Sequence, residues 1–226
     1  MNRRWIKAAG ILMAAATVLT LVSCAKQNKD DEAETTTQAV ETTAPVTSGG
    51  VVRTGSEGLS FTVSGDGECT LTGLGSCTDT AVSIPAVDDK GNRVTAIAAG
   101  AFKSTRVSAI EIPETVCEIA DGAFAGCSKL SYISVSLHNE DFRSVDGVLY
   151  DAGMKTLICY PGARADGTLT IPSSVTVIAP YAFSDCTTLK TVEFAGSSDE
   201  WKDVSVGDDN AVLANAKVSY AKEDGK

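Results

Sequence analysis

Residues 116–135 read VCEIADGAFAGCSKLSYISV, and their apolar members Val116, Ile119, Ala123-Phe124, Cys127, Leu130, Ile133 and Val135 set a spacing that returns further along the chain. The same offsets hold at Val175, Ile178, Ala182-Phe183, Cys186, Leu189, Val192 and Phe194. An upstream copy keeps Val94, Ile97 and Ala101-Phe102, places Thr105 where the others have cysteine, and follows with Val107, Ile110 and Ile112 one residue early. Self-similarity at a period of roughly twenty residues predicts a solenoid, since a unit so short cannot enclose its own apolar face and must stack on its neighbours. Leu130, Ile133 and Val135 end in a period-two step that suits a short strand with one face buried. Ile112-Pro113 and Ile171-Pro172 should close such strands, because proline has no N–H to give to a ladder. The Ala-Phe pairs, stacked coil on coil, should build an aromatic spine.

The unit C-x2-L-x2-I-x-V followed by I-P-x2-V-x2-I-x4-F resembles the BspA-type leucine-rich repeat of bacterial surface proteins, over roughly residues 81–194. That resemblance implies a β-rich solenoid of short strands with irregular or short helical return segments and terminal caps. It also implies a non-catalytic binding or adhesion module on the cell surface, with a protein or glycan partner that includes host molecules. The irregular unit 137–169 departs from the pattern. Val145 is placed at the Ile position there and Leu149-Tyr150 at the Ala-Phe position, with MKTLICYPGARADG as an added loop.

The chain divides by composition. Residues 1–23 read as an export signal: Arg3, Arg4 and Lys7 open it, and the apolar run Ala8–Leu21 is short of the roughly 20 residues that span a bilayer. Leu21-Val22-Ser23-Cys24 resembles the lipobox of bacterial lipoproteins, which implies that Cys24 carries the lipid and becomes the first mature residue. Residues 24–56 then form a Thr- and Glu-rich tether without aromatics, expected to be disordered. A flexible chain of that length has an r.m.s. reach of roughly 30 Å and a maximum near about 110 Å. Residues 57–220 are the repeat domain and 221–226 a frayed tail. Phe61, Val63, Cys69 and Leu71 alternate with polar residues around Gly65-Asp66-Gly67, which predicts an opening hairpin. Trp201 and Ala211–Ala216 are placed over the last coil.

Nineteen basic residues face 29 acidic ones, a formal charge of −10. Loss of residues 1–23 would deepen it. Such a balance opposes binding to nucleic acid or anionic lipid, so the membrane contact expected here is the lipid on Cys24 alone.

Beyond Cys24 the chain holds Cys69, Cys77, Cys117, Cys127, Cys159 and Cys186. An even number in an exported chain permits a disulfide framework. The repeat position of Cys127 and Cys186 instead favours buried packing thiols, with Cys69 and Cys77 the pair best placed to bridge. His138 is the only histidine. No CxxC, HExxH or phosphate-cradling GxxxxGK motif occurs, so no cofactor or metal is expected and an enzyme is disfavoured. The acidic stretches Asp88-Asp89-Lys90-Gly91-Asn92, Glu140-Asp141, Asp199-Glu200 and Asp208-Asp209-Asn210 read as solvated turns rather than calcium loops.

Recognition should then lie on the residues that alternate with the core along the stacked strands. Ser108, Ala109 and Glu111, then Ser131, Tyr132 and Ser134, then Lys190, Thr191 and Glu193 compose that expected face, with Tyr132 its best single anchor. The alternative to a binding module is a structural or assembly component of the same cell's envelope.

Overall fold

The computed structural model describes residues 55–103 and 106–222. The export signal, Cys24, nearly all of the tether, Thr105 and residues 223–226 lie outside the described residues. Strands follow one another as β1 (Ser60–Gly65), β2 (Glu68–Gly73), β3 (Ala81–Ser83), β4 (Arg93–Ile97), β5 (Ala109–Ile112), β6 (Glu118–Ile119) and β7 (Tyr132–Val135). Next come β8 (Phe142–Val145), β9 (Val148–Asp151), β10 (Thr156–Cys159), β11 (Thr168–Ile171), β12 (Val177–Ile178) and β13 (Thr191–Phe194). A five-residue helix α1 (Ser198–Lys202), β14 (Ser205–Val206), a 3-10 turn over Ala211–Ala214 and β15 (Lys217–Tyr220) complete the order.

The coils stack as the repeat predicts. β3, β5 and β7 pair in parallel, with Val82, Ile110 and Ile133 in register, and β11, β13 and β15 do the same through Leu169, Val192 and Val218. Pro113 and Pro172 stand immediately after β5 and β11.

The return segments differ from the irregular or helical form expected of them. Their V-x2-I positions build a second parallel ladder, in which Leu71, Ile97 and Ile119 align across β2, β4 and β6, and Leu157, Ile178 and Val206 across β10, β12 and β14. The reason is backbone accounting: an extended return segment still carries buried N–H and C=O groups, and the neighbouring coil satisfies them, as when Ala120 N–H donates to Ile97 O at 2.9 Å. Each return then makes tight i to i+3 turns at Ala-Phe. Residues 100, 122 and 181 all adopt positive φ there, +65°, +70° and +60°, which glycine supplies at the first two and Tyr181 at the third.

The aromatic spine has one member the repeat pattern misplaces. Phe102 and Phe124 stack with centroids 5.6 Å apart, and Phe183 stacks on Tyr160 at 5.4 Å. Tyr160 N–H donates to Ala182 O as Phe102 N–H donates to Ala123 O. Cys159-Tyr160 therefore holds the Ala-Phe place expected of Leu149-Tyr150. Val145, expected at the Ile position, is 41% exposed.

That reassignment comes from a hairpin. Asp146 and Gly147 have φ of +50° and +78°, and Val145 faces Val148 across them, so β8 and β9 join by an Asp-Gly turn of the kind that suits the twist of paired strands. β9 runs antiparallel between β8 and β10. Both parallel ladders break here, because β6 does not pair with β10 nor β7 with β11.

The core divides at the same place into two clusters. Val148 and Tyr150 belong to the second and Leu149 to the first, so β9 is buried on both faces and joins the two stacks.

Both ends are covered. β1 lies antiparallel on β2 around Asp66-Gly67, and Ser56 N–H already donates to Ser83 O at 2.7 Å. At the far end Trp201 packs on Phe194 with centroids 5.1 Å apart, and Ala221 and Lys222 N–H groups still donate to Phe194 O and Gly196 O. These bonds involve Ser56 and residues 221–222, which flank the 57–220 stretch.

Two acidic stretches, otherwise solvated, each hold one buried polar residue. Asp88 is only 5% exposed, its carboxylate accepting from Lys90 N–H, Asn92 N–H and Asn92 Nδ2 at 2.8–2.9 Å, and these bonds hold its pKa below the ordinary range against the opposing effect of burial. Asn210 is also buried, accepting from Phe183 N–H and donating to Ala179 O and Gly207 O. Glu200, within Asp199-Glu200, closes a capping box with Ser197 at the start of α1.

Candidate functional site

β5 and β7 carry the first part of the expected recognition face in two outward rows. Ala81, Ala109 and Tyr132 align in one, and Ser83, Glu111 and Ser134 in the other. Ser131, one residue before β7, donates both its N–H and its hydroxyl to Ser108 O. Lys190, Thr191 and Glu193 sit on the other panel, where Thr168, Thr191 and Lys217 form one row and Thr170, Glu193 and Ser219 the next. Thr170 Oγ1 donates to Glu193 Oε2 at 3.3 Å. The expected continuous surface is therefore two panels, separated where the β8–β9 hairpin enters.

The seam supplies residues that the repeat reading passed over. Beside Tyr132 lies an open depression of about 780 Å³ whose walls include Ser131, Asp146, Arg164 and Asp166. Tyr132 is 50% exposed. A Cβ added to Gly147 would meet Tyr132 Cδ2 at 2.5 Å and Cε2 at 3.0 Å, so the ring lies close over the Gly147 backbone.

Arg164 is fixed on several sides. It forms an ion pair with Asp166 at 2.6 Å, donates through Nη1 to Asp146 O, and stands 5.6 Å from the Tyr160 ring centre. Tyr160 hydroxyl donates to Asp166 Oδ1 at 3.3 Å. The bond from Arg164 holds the Asp166 carboxyl below its ordinary pKa range. The loop carrying them is tied back by Ala163 N–H to Leu130 O and Thr188 Oγ1 to Arg164 O. Ala163, Ala165 and Gly162 around one arginine gave no periodic signal. The pairing Arg164-x-Asp166 next to Cys159-Tyr160 was the available clue.

Cysteine chemistry points to packing. Cys69, Cys77, Cys159 and Cys186 are free thiols, and they and Cys127 are buried in the core, so the suggested Cys69–Cys77 bridge is not formed. Cys127 Sγ donates to Phe102 O. Burial pushes the Cys69 thiol up to about 11 and drives Cys159 well above its ordinary value. Protonated thiols are poor nucleophiles. His138 is exposed on the turn after β7, its backbone N–H bonded to Ser136 Oγ. Among the described residues no group of three His, Cys, Asp or Glu side chains is arranged to hold a metal ion.

Two ladders of short parallel strands, tight Ala-Phe turns and a stacked aromatic interior define the class: a leucine-rich repeat solenoid. Residues 89–145 and 166–206 match the BspA type leucine rich repeat region in six copies, and the chain carries repeats of that type. It is similar to the crystal structure of a leucine-rich repeat protein from Eubacterium ventriosum ATCC 27560, at 25% identity and TM-score 0.46 over 57% of this chain and 41% of that one. A leucine rich cell surface protein from Faecalibacterium prausnitzii A2-165 is similar at 30% identity and TM-score 0.40, over 55% and 36%. The chain thus spans about two fifths of the length of these relatives. No curated protein matches it.

Proposed function

We propose that this chain is a surface-exposed lipoprotein whose repeat domain binds a protein or glycan partner without transforming it, through the outward rows of β5, β7 and β13. The observation that carries the reading is the contrast within each strand. Ile110, Ile133 and Val192 are buried, while Glu111, Tyr132 and Glu193 beside them are exposed on a rigid, laddered support. A fixed scaffold with free side chains keeps the ordering cost of binding low. The matched family and the cell-surface relative support the same reading.

The test uses the full-length chain as bait against host extracellular material and against envelope fractions of the producing cell. Any partner captured should be lost on changing Tyr132 and Glu193 together to alanine, by about tenfold or more, as expected for removal of an interface anchor. Full retention of the partner by the double variant would remove this face. Capture from the cell's own envelope alone would favour the structural reading instead.

Attachment is tested separately. Cys24→Ala should leave the melting of the repeat domain unchanged and release the chain from the membrane fraction, since two acyl chains at about 0.8 kcal/mol per buried CH2 make a lasting anchor. Continued sedimentation of the variant with membranes would overturn the lipid assignment.

A further inference from the structure

We propose that the depression between Tyr132 and the Arg164–Asp166 pair is a carbohydrate subsite selective for uncharged sugars; the proposal rests on the binding reading above and names the ligand class for one part of that face. The case begins with what the site cannot do for a peptide. An extended peptide gains affinity by adding to a free strand edge, and the β7 edge facing the seam is already taken. Ile133 N–H donates to Gly147 O at 3.0 Å and Val135 N–H to Ser144 Oγ at 3.1 Å. The depression also lacks a deep apolar slot for an anchoring side chain: beyond Tyr132, its lining is Ser131, Asp146, Arg164, Asp166 and two alanines.

What it offers is a half-exposed aromatic ring beside planar, fixed hydrogen-bonding groups. One side of the ring is backed by Gly147, and its row neighbours Ala109 and Ala81 are too small to overhang it. The C–H face of a pyranose is apolar and slightly positive, which suits the negative face of an aromatic ring. Sugar hydroxyls both donate and accept, and a vicinal pair spans a carboxylate or guanidinium. Asp166 presents a carboxylate that is 45% exposed and already oriented by Arg164 and Tyr160. Arg164 is held at 18% exposure by the contacts described above, so neither group needs ordering when a ligand arrives.

Charge decides the kind of sugar. Arg164 is offset by Asp166, and Asp146 adds a second carboxylate, on a chain that is already acidic overall. Sialylated or sulfated glycans meet repulsion there, and neutral ones do not.

The experiment applies the full-length chain to an array of neutral and anionic oligosaccharides and titrates the best neutral hit in solution. Binding should be confined to neutral glycans. Tyr132→Ala should weaken it by about tenfold or more, Tyr132→Trp should retain it, and Asp166→Asn should weaken it, with thermal melts confirming that each variant is folded. A blank array, binding only of anionic glycans, or an unchanged affinity for Tyr132→Ala would overturn the proposal. Failure here is separable from failure of the face as a whole. A captured partner that still binds after periodate destruction of its sugars, yet is lost from the Tyr132 and Glu193 double variant, overturns the carbohydrate assignment and leaves the face standing.

Discussion

Phe102→Ala should destabilise the repeat domain by about 3–5 kcal/mol, the range for deleting a fully buried aromatic side chain from a packed core. Phe102 has no exposed surface, and its ring lies nearly parallel to that of Phe124, at 12°. The neighbours cannot close the gap cheaply: Cys127 Sγ is bonded to Phe102 O, and Ala101 and Ala123 are held in i to i+3 turns. Urea denaturation should show a lower midpoint with the slope unchanged. A double-mutant cycle with Phe124→Ala should leave a coupling of about 0.5–1.5 kcal/mol beyond the single effects. A loss below about 1 kcal/mol would mean that the spine does not bear on stability.

The two core clusters make a further demand on this experiment. Because β9 contributes Leu149 to one and Val148 and Tyr150 to the other, both should unfold in one transition. Phe183→Ala in the second cluster should therefore move the same melting curve that Phe102→Ala moves. Two separated transitions would show that β9 does not couple the stacks.

Asn210→Ala should cost about 1–3 kcal/mol, because the buried Phe183 N–H loses its partner and an unpartnered buried polar group costs about that much. At Phe102 and Tyr160 the backbone N–H of this turn donates to a carbonyl of the next coil, Ala123 O and Ala182 O. After Phe183 there is no next Ala-Phe turn to receive it. Asn210 Oδ1 stands in for the missing carbonyl at 3.0 Å, and Nδ2 answers Ala179 O and Gly207 O at 2.9 and 3.0 Å. Hydrogen exchange should show the effect as faster exchange at Phe183 and Tyr181, whose N–H is bonded to Asp208 O, with the first stack unchanged. Unaltered protection at Phe183 would mean that water replaces the amide without penalty.

The periodic part of this fold was legible because stacking forces it: a residue one coil on occupies the same environment, so Val, Ile, Ala-Phe and Cys recur at fixed offsets. The irregular unit was misread by extending that same rule. Val145-Asp146-Gly147-Val148 carries a strong short-range hairpin signal, apolar residues flanking Asp-Gly, as Gly65-Asp66-Gly67 does at the start of the domain. Imposing the repeat on it put Tyr150 where Tyr160 belongs. Both are buried tyrosines, and Tyr160 is the one that stacks on Phe183 and donates its N–H to Ala182 O.

Asp88 and Asn210 were hidden for a different reason. Each belongs to an acidic run with no periodic apolar pattern, and its burial is imposed by other coils and by its own turn bonds. The outward rows were readable as alternation within each strand, but Arg164 and Asp166 were not, since a loop has no period to betray which side chains face a seam.

Strand β9 also fixes the spacing of the two outward panels. A slip of one residue would exchange Leu149 with Val148 and Tyr150 between the two interiors. The offset between the Tyr132 panel and the Glu193 panel is therefore locked like the jaws of a set caliper. Any molecule that touches both must carry matching features at one separation.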